Sequence, residues 1–222
     1  MPAKGVGVKA IVVAGGDAAP EDAAQLAGAD VVIAADSGAA WLEAAGRQPD
    51  LVIGDMDSIS SDLLERLEAR GVTIESHPSE KEASDAELAV AWAVAMGANE
   101  IVILGGFGGP RLDHELANLL LLTAEWNGAE LRLVRGATTA RAVRGGGQQA
   151  LEGRVGDLVT LLPLAGDATG VRTRGLRYPL GGESLHGGRS RGLSNVIAVL
   201  PASVSLEDGT LLIIETRKEP RS

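Results

Sequence analysis

Asp50-Leu-Val-Ile-Gly-Asp-Met-Asp-Ser58 joins an apolar run to a glycine and then to two carboxylates, Asp55 and Asp57. The pattern predicts a buried strand that opens at its C-terminal end into an acidic loop. In open α/β sheets that end of the strands is where ligands bind. Residues two apart in an extended segment share a face. Asp55 and Asp57 then reach one hard cation together, and carboxylate oxygens suit Mg²⁺. A polar turn carrying two solvated acids is the other reading of the same residues.

Outward from this stretch, apolar runs alternate with Ala-rich helical patterns. Strands are expected at Ala10–Ala14, Asp30–Ala35, Leu51–Ile53, Ile101–Leu104 and Leu131–Val134, with a weaker one at Val72–Ile74. Helices are expected over about 39–46, 61–70, 85–97 and 114–127. Runs apolar on both faces and separated by helices predict a mostly parallel sheet flanked by helices. Ser84-Asp-Ala-Glu87 reads as a capping box with Ser84 as N-cap, and Gly97 as a helix stop. Trp41, Trp92 and Trp126 fall in Ala-rich patterns and read as core.

After residue 136 the texture changes. Short apolar runs at Leu158–Leu162, Val196–Leu200 and Thr210–Thr216 are separated by glycine-rich turns. This predicts an α/β first domain over 1–136 and a smaller antiparallel β-sandwich or roll over 137–222. Gly145-Gly-Gly147 suits a turn or a flexible link. Arg217–Ser222 reads as a frayed tail.

Composition narrows the function classes. The 222 residues are 45% hydrophobic and carry no cysteine, which rules out disulfides and thiolate metal sites. A net charge of −10 disfavours general nucleic-acid affinity, and 2% aromatics are too few for base-stacking platforms. No apolar run is long enough to span a membrane, and the first residues lack a long apolar signal core. A soluble cytoplasmic protein is expected.

Four polar clusters follow strands or open helices in the first half. Asp36-Ser-Gly follows the second strand, and Gly54–Ser58 the third. Lys81-Glu-Ala-Ser-Asp85 opens a helix. Gly105–Gly109 with Arg111, Asp113 and His114 follows the strong strand. In a parallel sheet these segments converge on one edge, which points to a metal–phosphate site. Each also has a plain structural reading. Asp36 and Asp113 suit helix caps, and Asp85 suits a first helical turn, where negative charge favours the dipole. His114 reads as a helix-start hydrogen-bonding residue. The glycines match neither a Walker A loop nor a dinucleotide fingerprint. In the second half, Gly187–Asn195 lets backbone approach a small ligand closely, or simply turns a hairpin.

Taken in order, these clusters resemble the thiamine pyrophosphokinase family. The matching elements are Asp36-Ser-Gly-Ala39, Gly54-Asp-Met-Asp-Ser58, Lys81-Glu-Ala-Ser-Asp-Ala-Glu87 and Arg111-Leu-Asp-His-Glu-Leu-Ala-Asn118. Gly175-Leu-Arg-Tyr-Pro-Leu180 and Ser194-Asn195 follow. Ser84 stands where the family usually has Thr, and Tyr178 where some members have Trp. Pro110 looks like an insertion. The resemblance implies transfer of a pyrophosphoryl group from ATP to thiamine, giving thiamine diphosphate and AMP. It implies Asp55, Asp57 and Asp85 as Mg²⁺ ligands and catalytic residues. Lys81 and Arg111 would contact phosphates, and Asp113 and Asn118 would orient the nucleotide or the glycine loop. Asp36 would contact metal, nucleotide or substrate. Tyr178, Ser194 and Asn195 would bind thiamine in a homodimer whose site is shared between subunits. Alternatives are a related pyrophosphokinase of a hydroxymethylpterin-like substrate and a noncatalytic nucleotide- or thiamine-binding regulator.

Overall fold

The computed structural model describes residues 7–218, which divide into two compact units, one through Gly136 and one from Ala137. Of the expected tail, Arg217 and Lys218 are held, their N–H groups donating to the Ala137 carbonyl and to Asp157 Oδ1, both at 3.0 Å. The rest of it, 219–222, and the first six residues lie outside the described residues. In the first unit β1 (Val8–Val13), β2 (Val31–Ala35), α1 (Gly38–Ala44), β3 (Leu51–Gly54), α2 (Ser61–Ala69) and β4 (Thr73–Ser76) follow one another. Then come α3 (Asp85–Ala95), β5 (Ala98–Leu104), α4 (Leu112–Leu121) and β6 (Glu130–Arg135). A short 3-10 helix, Pro20–Leu26, links β1 to β2.

The strands lie in the order β4-β3-β2-β1-β5-β6, and each neighbouring pair is parallel. The chain runs outward from β1 to β4 and returns to β5 on the other side of β1. The strand order therefore reverses between β1 and β5, and a crevice opens there at the carboxyl edge. Ile11, Val13, Val32, Val52, Val102 and Leu104 form the sheet side of one core, with Leu42, Leu63 and Leu67 from the helices. Ser84 caps α3 as expected, its hydroxyl accepting from the Glu87 N–H at 3.2 Å.

Three expectations change here. Trp126 lies beyond the end of α4, half-buried, with its ring N–H donating to the Leu121 carbonyl at 2.8 Å. Trp41 and Trp92 are half-buried, and Trp41 packs against the edge of the core rather than within it. The N-cap of α4 is Arg111 rather than Asp113, and that of α1 is Ser37 rather than Asp36.

The second unit is antiparallel throughout: β7 (Thr138–Arg144), β8 (Gln148–Ala150), β9 (Leu158–Arg174), β10 (Gly181–Leu185), β11 (Asn195–Val196), β12 (Ser203–Ser205) and β13 (Asp208–Thr216). The long β9 serves two sheets. Its first half pairs with β13 and β11, its second with β10 and β12. Val159, Leu161, Val171, Ile197, Val204, Leu211 and Ile213 pack between them. This agrees with the expected β-rich second half and the α/β first half.

Two details differ. Gly145–Gly147 is a turn bound to its own unit, Gly147 N–H donating to the Arg144 carbonyl at 2.9 Å, and not a link. The run at 196–200 leaves the strand early, because Ala198 and Val199 both donate to the Gly175 carbonyl and turn the chain. Among the described residues no helix is long and apolar enough to cross a membrane.

Candidate active site

Four segments emerge at the carboxyl edge of the parallel sheet: Ala14–Gly16 after β1, Asp36 after β2, Asp55–Ser58 after β3 and Gly105–Gly109 after β5. The first and last bracket the point where the strand order reverses. They are stitched together, Gly16 N–H donating to the Gly105 carbonyl at 2.9 Å. A Cβ at Gly16 would lie 2.5 Å from that oxygen, so only glycine permits this approach. Asn118, 6% exposed in α4, donates to the Gly106 carbonyl at 3.1 Å and fixes the loop from below. A cavity of about 230 Å³ lies here, lined among others by Gly15, Gly16, Asp36, Asp85, Arg111 and His114.

The carboxylates meet beside this cavity. Oxygens of Asp36, Asp55 and Asp57 all lie within 4.8 Å of one another. Asp55 and Asp57 do not converge by strand alternation as expected. β3 ends at Gly54, and Met56 takes a left-handed φ of 63°, so a turn folds the two acids together. The Asp57 N–H donates to Asp55 Oδ1 at 3.2 Å, and Ser58 Oγ donates to Asp57 Oδ1 at 2.8 Å. Asp85, at the first position of α3, stands next to this group, with Oδ1 3.0 Å from Lys81 Nζ. Lys81 also lies 3.8 Å from Asp55.

Gly54 sits between these elements at φ 151°, a region open mainly to glycine. A Cβ there would lie 3.1 Å from the Asp85 carboxyl carbon and 3.2 Å from Asp36 Cβ. The charges have unequal settings. Burial pushes the Asp36 carboxyl above its ordinary value, and Asp85 and Asp55 add to the rise. The Asp57 N–H holds Asp55 below the usual carboxylate range, helped by the Ser79 hydroxyl and Lys81. Asp36 Oδ1 is buried with no hydrogen-bond partner. An orphaned carboxylate oxygen among hard oxygen donors is the setting that a small divalent cation completes, so these residues fit Mg²⁺.

The other anticipated residues take distinct places. Arg111 lines the cavity but is exposed, and it grips Asp113 through two hydrogen bonds of 2.9 and 2.6 Å. That pairing pulls the Asp113 carboxyl far below its ordinary range. Asp113 is thereby an anchor for Arg111 and stays outside the cavity lining. In the second unit, Asn195 is buried and bonded to the backbone of Tyr178, while Tyr178 and Ser194 are exposed. Gly15 and Gly16 escaped the sequence reading. Their signal was present as a glycine pair directly after the first apolar strand.

Comparison with known proteins bears on the family and the fold. The profile described as thiamin pyrophosphokinase, catalytic domain, matches residues 23–133, half of the chain. The chain belongs to the thiamin pyrophosphokinase family. A second thiamin pyrophosphokinase profile, for the vitamin B1 binding domain, matches residues 149–211. The thiamine pyrophosphokinase of Bacillus subtilis is 26% identical over 185 residues, covering 83% of this chain and 86% of its own length. A crystal structure of thiamine pyrophosphokinase from that organism superposes with a TM-score of 0.85 at 25% identity, over 95% of this chain and all of that one. The yeast thiamin pyrophosphokinase shares the fold at 15% identity, with a TM-score of 0.78 over 96% of this chain and 87% of its own. Membership of the thiamin pyrophosphokinase family places the chain among kinase-type enzymes.

Proposed function

We propose that the chain transfers the pyrophosphoryl group of ATP to the hydroxyl of thiamine, giving thiamine diphosphate and AMP. The observation that carries this reading is the Asp36–Asp55–Asp57 cluster beside the Gly16–Gly105 crevice. Acids gathered where a glycine-lined loop approaches closely suit a triphosphate that arrives with a cation. Reactions of this type depend mainly on positioning and on neutralising charge.

In this reading the first unit holds the nucleotide and the second holds thiamine. Asp36, Asp55 and Asp57 would hold Mg²⁺, with Asp85 adjoining them. Bound there, the ion would neutralise phosphate charge as it develops. The thiamine hydroxyl oxygen bonds to the β-phosphorus while the bond from that phosphorus to the AMP oxygen breaks, and the hydroxyl proton is released. Lys81, 3.0 Å from Asp85 and 3.8 Å from Asp55, offsets the repulsion between these acids and would offer its ammonium to a phosphate bound beside them. Arg111, braced by Asp113, presents a guanidinium at the cavity mouth. Asn118 keeps the glycine loop in shape. Ser194 and Tyr178 offer a hydroxyl and an aromatic face to a cationic heterocycle. A cytoplasmic homodimer belongs to the same proposal.

Asp57→Asn tests it. Thiamine- and Mg²⁺-dependent AMP release should fall by about 100-fold or more, the scale of losing one transition-state charge contact. Asp57 is exposed, so the fold should survive. Wild-type turnover in the variant would overturn the ligand assignment.

A further inference from the structure

Asn195 opens β11 and is 9% exposed, and its amide is spent on backbone. Oδ1 accepts from the N–H of Tyr178 at 3.1 Å and from its following residue, Val196, at 2.9 Å. Nδ2 donates to the Tyr178 carbonyl at 2.7 Å. Two N–H donors on one oxygen fix which way the amide points. The side chain thus grips both backbone polar groups of a single residue, as a neighbouring strand would.

The rest of the loop is tied nearby. Arg177 N–H donates to the Val196 carbonyl at 2.9 Å, and Leu180 N–H to Thr173 Oγ1 at 2.8 Å. Tyr178 nevertheless stays 64% exposed. An immobilised backbone under an exposed aromatic ring is an arrangement suited to meeting a flat ligand, since the ordering cost of that residue is met before binding.

We infer that Asn195 is a positioning residue for Tyr178 and that the Tyr178 ring, not the Asn195 amide, meets the substrate. This rests on the reading of the second unit as thiamine-binding. Asn is required because one short side chain must accept and donate together. Asp keeps the acceptor and loses the donor, and Ala loses both.

Tyr178 is the only tyrosine of the chain. Full-length protein grown with 3-fluorotyrosine therefore gives a single 19F resonance that reports on it. Asn195→Ala should move that resonance toward the position of the free amino acid, and Asn195→Asp should move it less. In the thiamine-dependent AMP assay, Asn195→Ala should raise the thiamine KM about tenfold, the scale of losing buried hydrogen bonds. The KM for ATP should stay unchanged. In a Tyr178→Ala background the same substitution should change the thiamine KM by less than about twofold, because it acts through the missing ring.

A 19F resonance indifferent to both substitutions would overturn the inference. So would a full tenfold effect that persists without Tyr178. Should Asn195→Ala not fold, Asn195→Asp carries both comparisons. Titrating thiamine into the labelled wild-type protein tests the underlying reading separately. A resonance that ignores thiamine in protein that still turns thiamine over overturns the contact of the ring with the substrate. If thiamine is not turned over at all, the underlying reading fails, while the shifts in the variants still decide whether Asn195 positions Tyr178.

Discussion

Asp36 carries the sharpest conflict between stability and function at the scale of single residues. Burial raises its carboxyl above the ordinary value, and Asp85 and Asp55 repel it further. The folded state therefore binds this proton more tightly than the unfolded one. The group favours folding at low pH and opposes it once pH passes the raised folded value. Asp36→Asn should therefore not lower the Tm of metal-free protein near neutral pH, and a rise on the order of 2 °C is expected. The same variant should lose most of the extra thermal stability that Mg²⁺ and ATP give the wild type. A clear fall in the metal-free Tm would mean that Asp36 is a structural residue rather than a ligand. The role of Asp36 could not be read from sequence, because capping and coordination use the same carboxylate. Its orphaned oxygen is the observation on which the proposed ligand role rests.

Among the elements, α3 links local code to the site. Ser84 caps it, and the next residue is Asp85, so the cap sets where that carboxylate stands. Ser84→Ala should destabilise by about 1 kcal/mol and lower the Tm by about 2–4 °C. Ser84→Thr should keep both the stability and the turnover of the wild type, since a threonine hydroxyl also accepts from the N3 N–H. If Ser84→Ala proved as stable and as active as the wild type, the cap would not matter.

The cap, the parallel strands and the acidic loop after β3 were legible, because each rests on neighbours within a few residues, whereas the left-handed turn at Met56 that folds Asp55 and Asp57 together was not. β7 was not. Its sequence, Thr-Thr-Ala-Arg-Ala-Val-Arg, places Arg141 where a strand would show an apolar residue. Arg141 is buried with its guanidinium paired to Glu215 of β13 and donating to Glu152 at 2.6 Å and to the Ala150 carbonyl at 2.7 Å. A partner 74 residues away leaves no local trace. β8, β10 and β12 are short, with polar residues and glycine diluting their apolar pattern, and they were missed for a related reason.

In the molecule as a whole, the chain builds a parallel α/β unit and an antiparallel unit in sequence. The reversal of strand order between β1 and β5 creates the crevice, and the loops after β1, β2, β3 and β5 furnish it. Sequence pattern was enough to bring the clusters to one sheet edge. The order of the strands along that edge was not legible, so the pairing of Gly16 with Gly105 emerged only from the fold.

In the proposed reaction this edge passes two phosphates at once to thiamine. Incubation of the full chain with ATP, Mg²⁺ and thiamine, followed by mass-spectrometric analysis of the products, tests it most directly. Thiamine diphosphate and AMP should appear in equal amounts, with neither thiamine monophosphate nor ADP formed. Thiamine monophosphate together with ADP, or the absence of any thiamine-dependent product, would contradict the account.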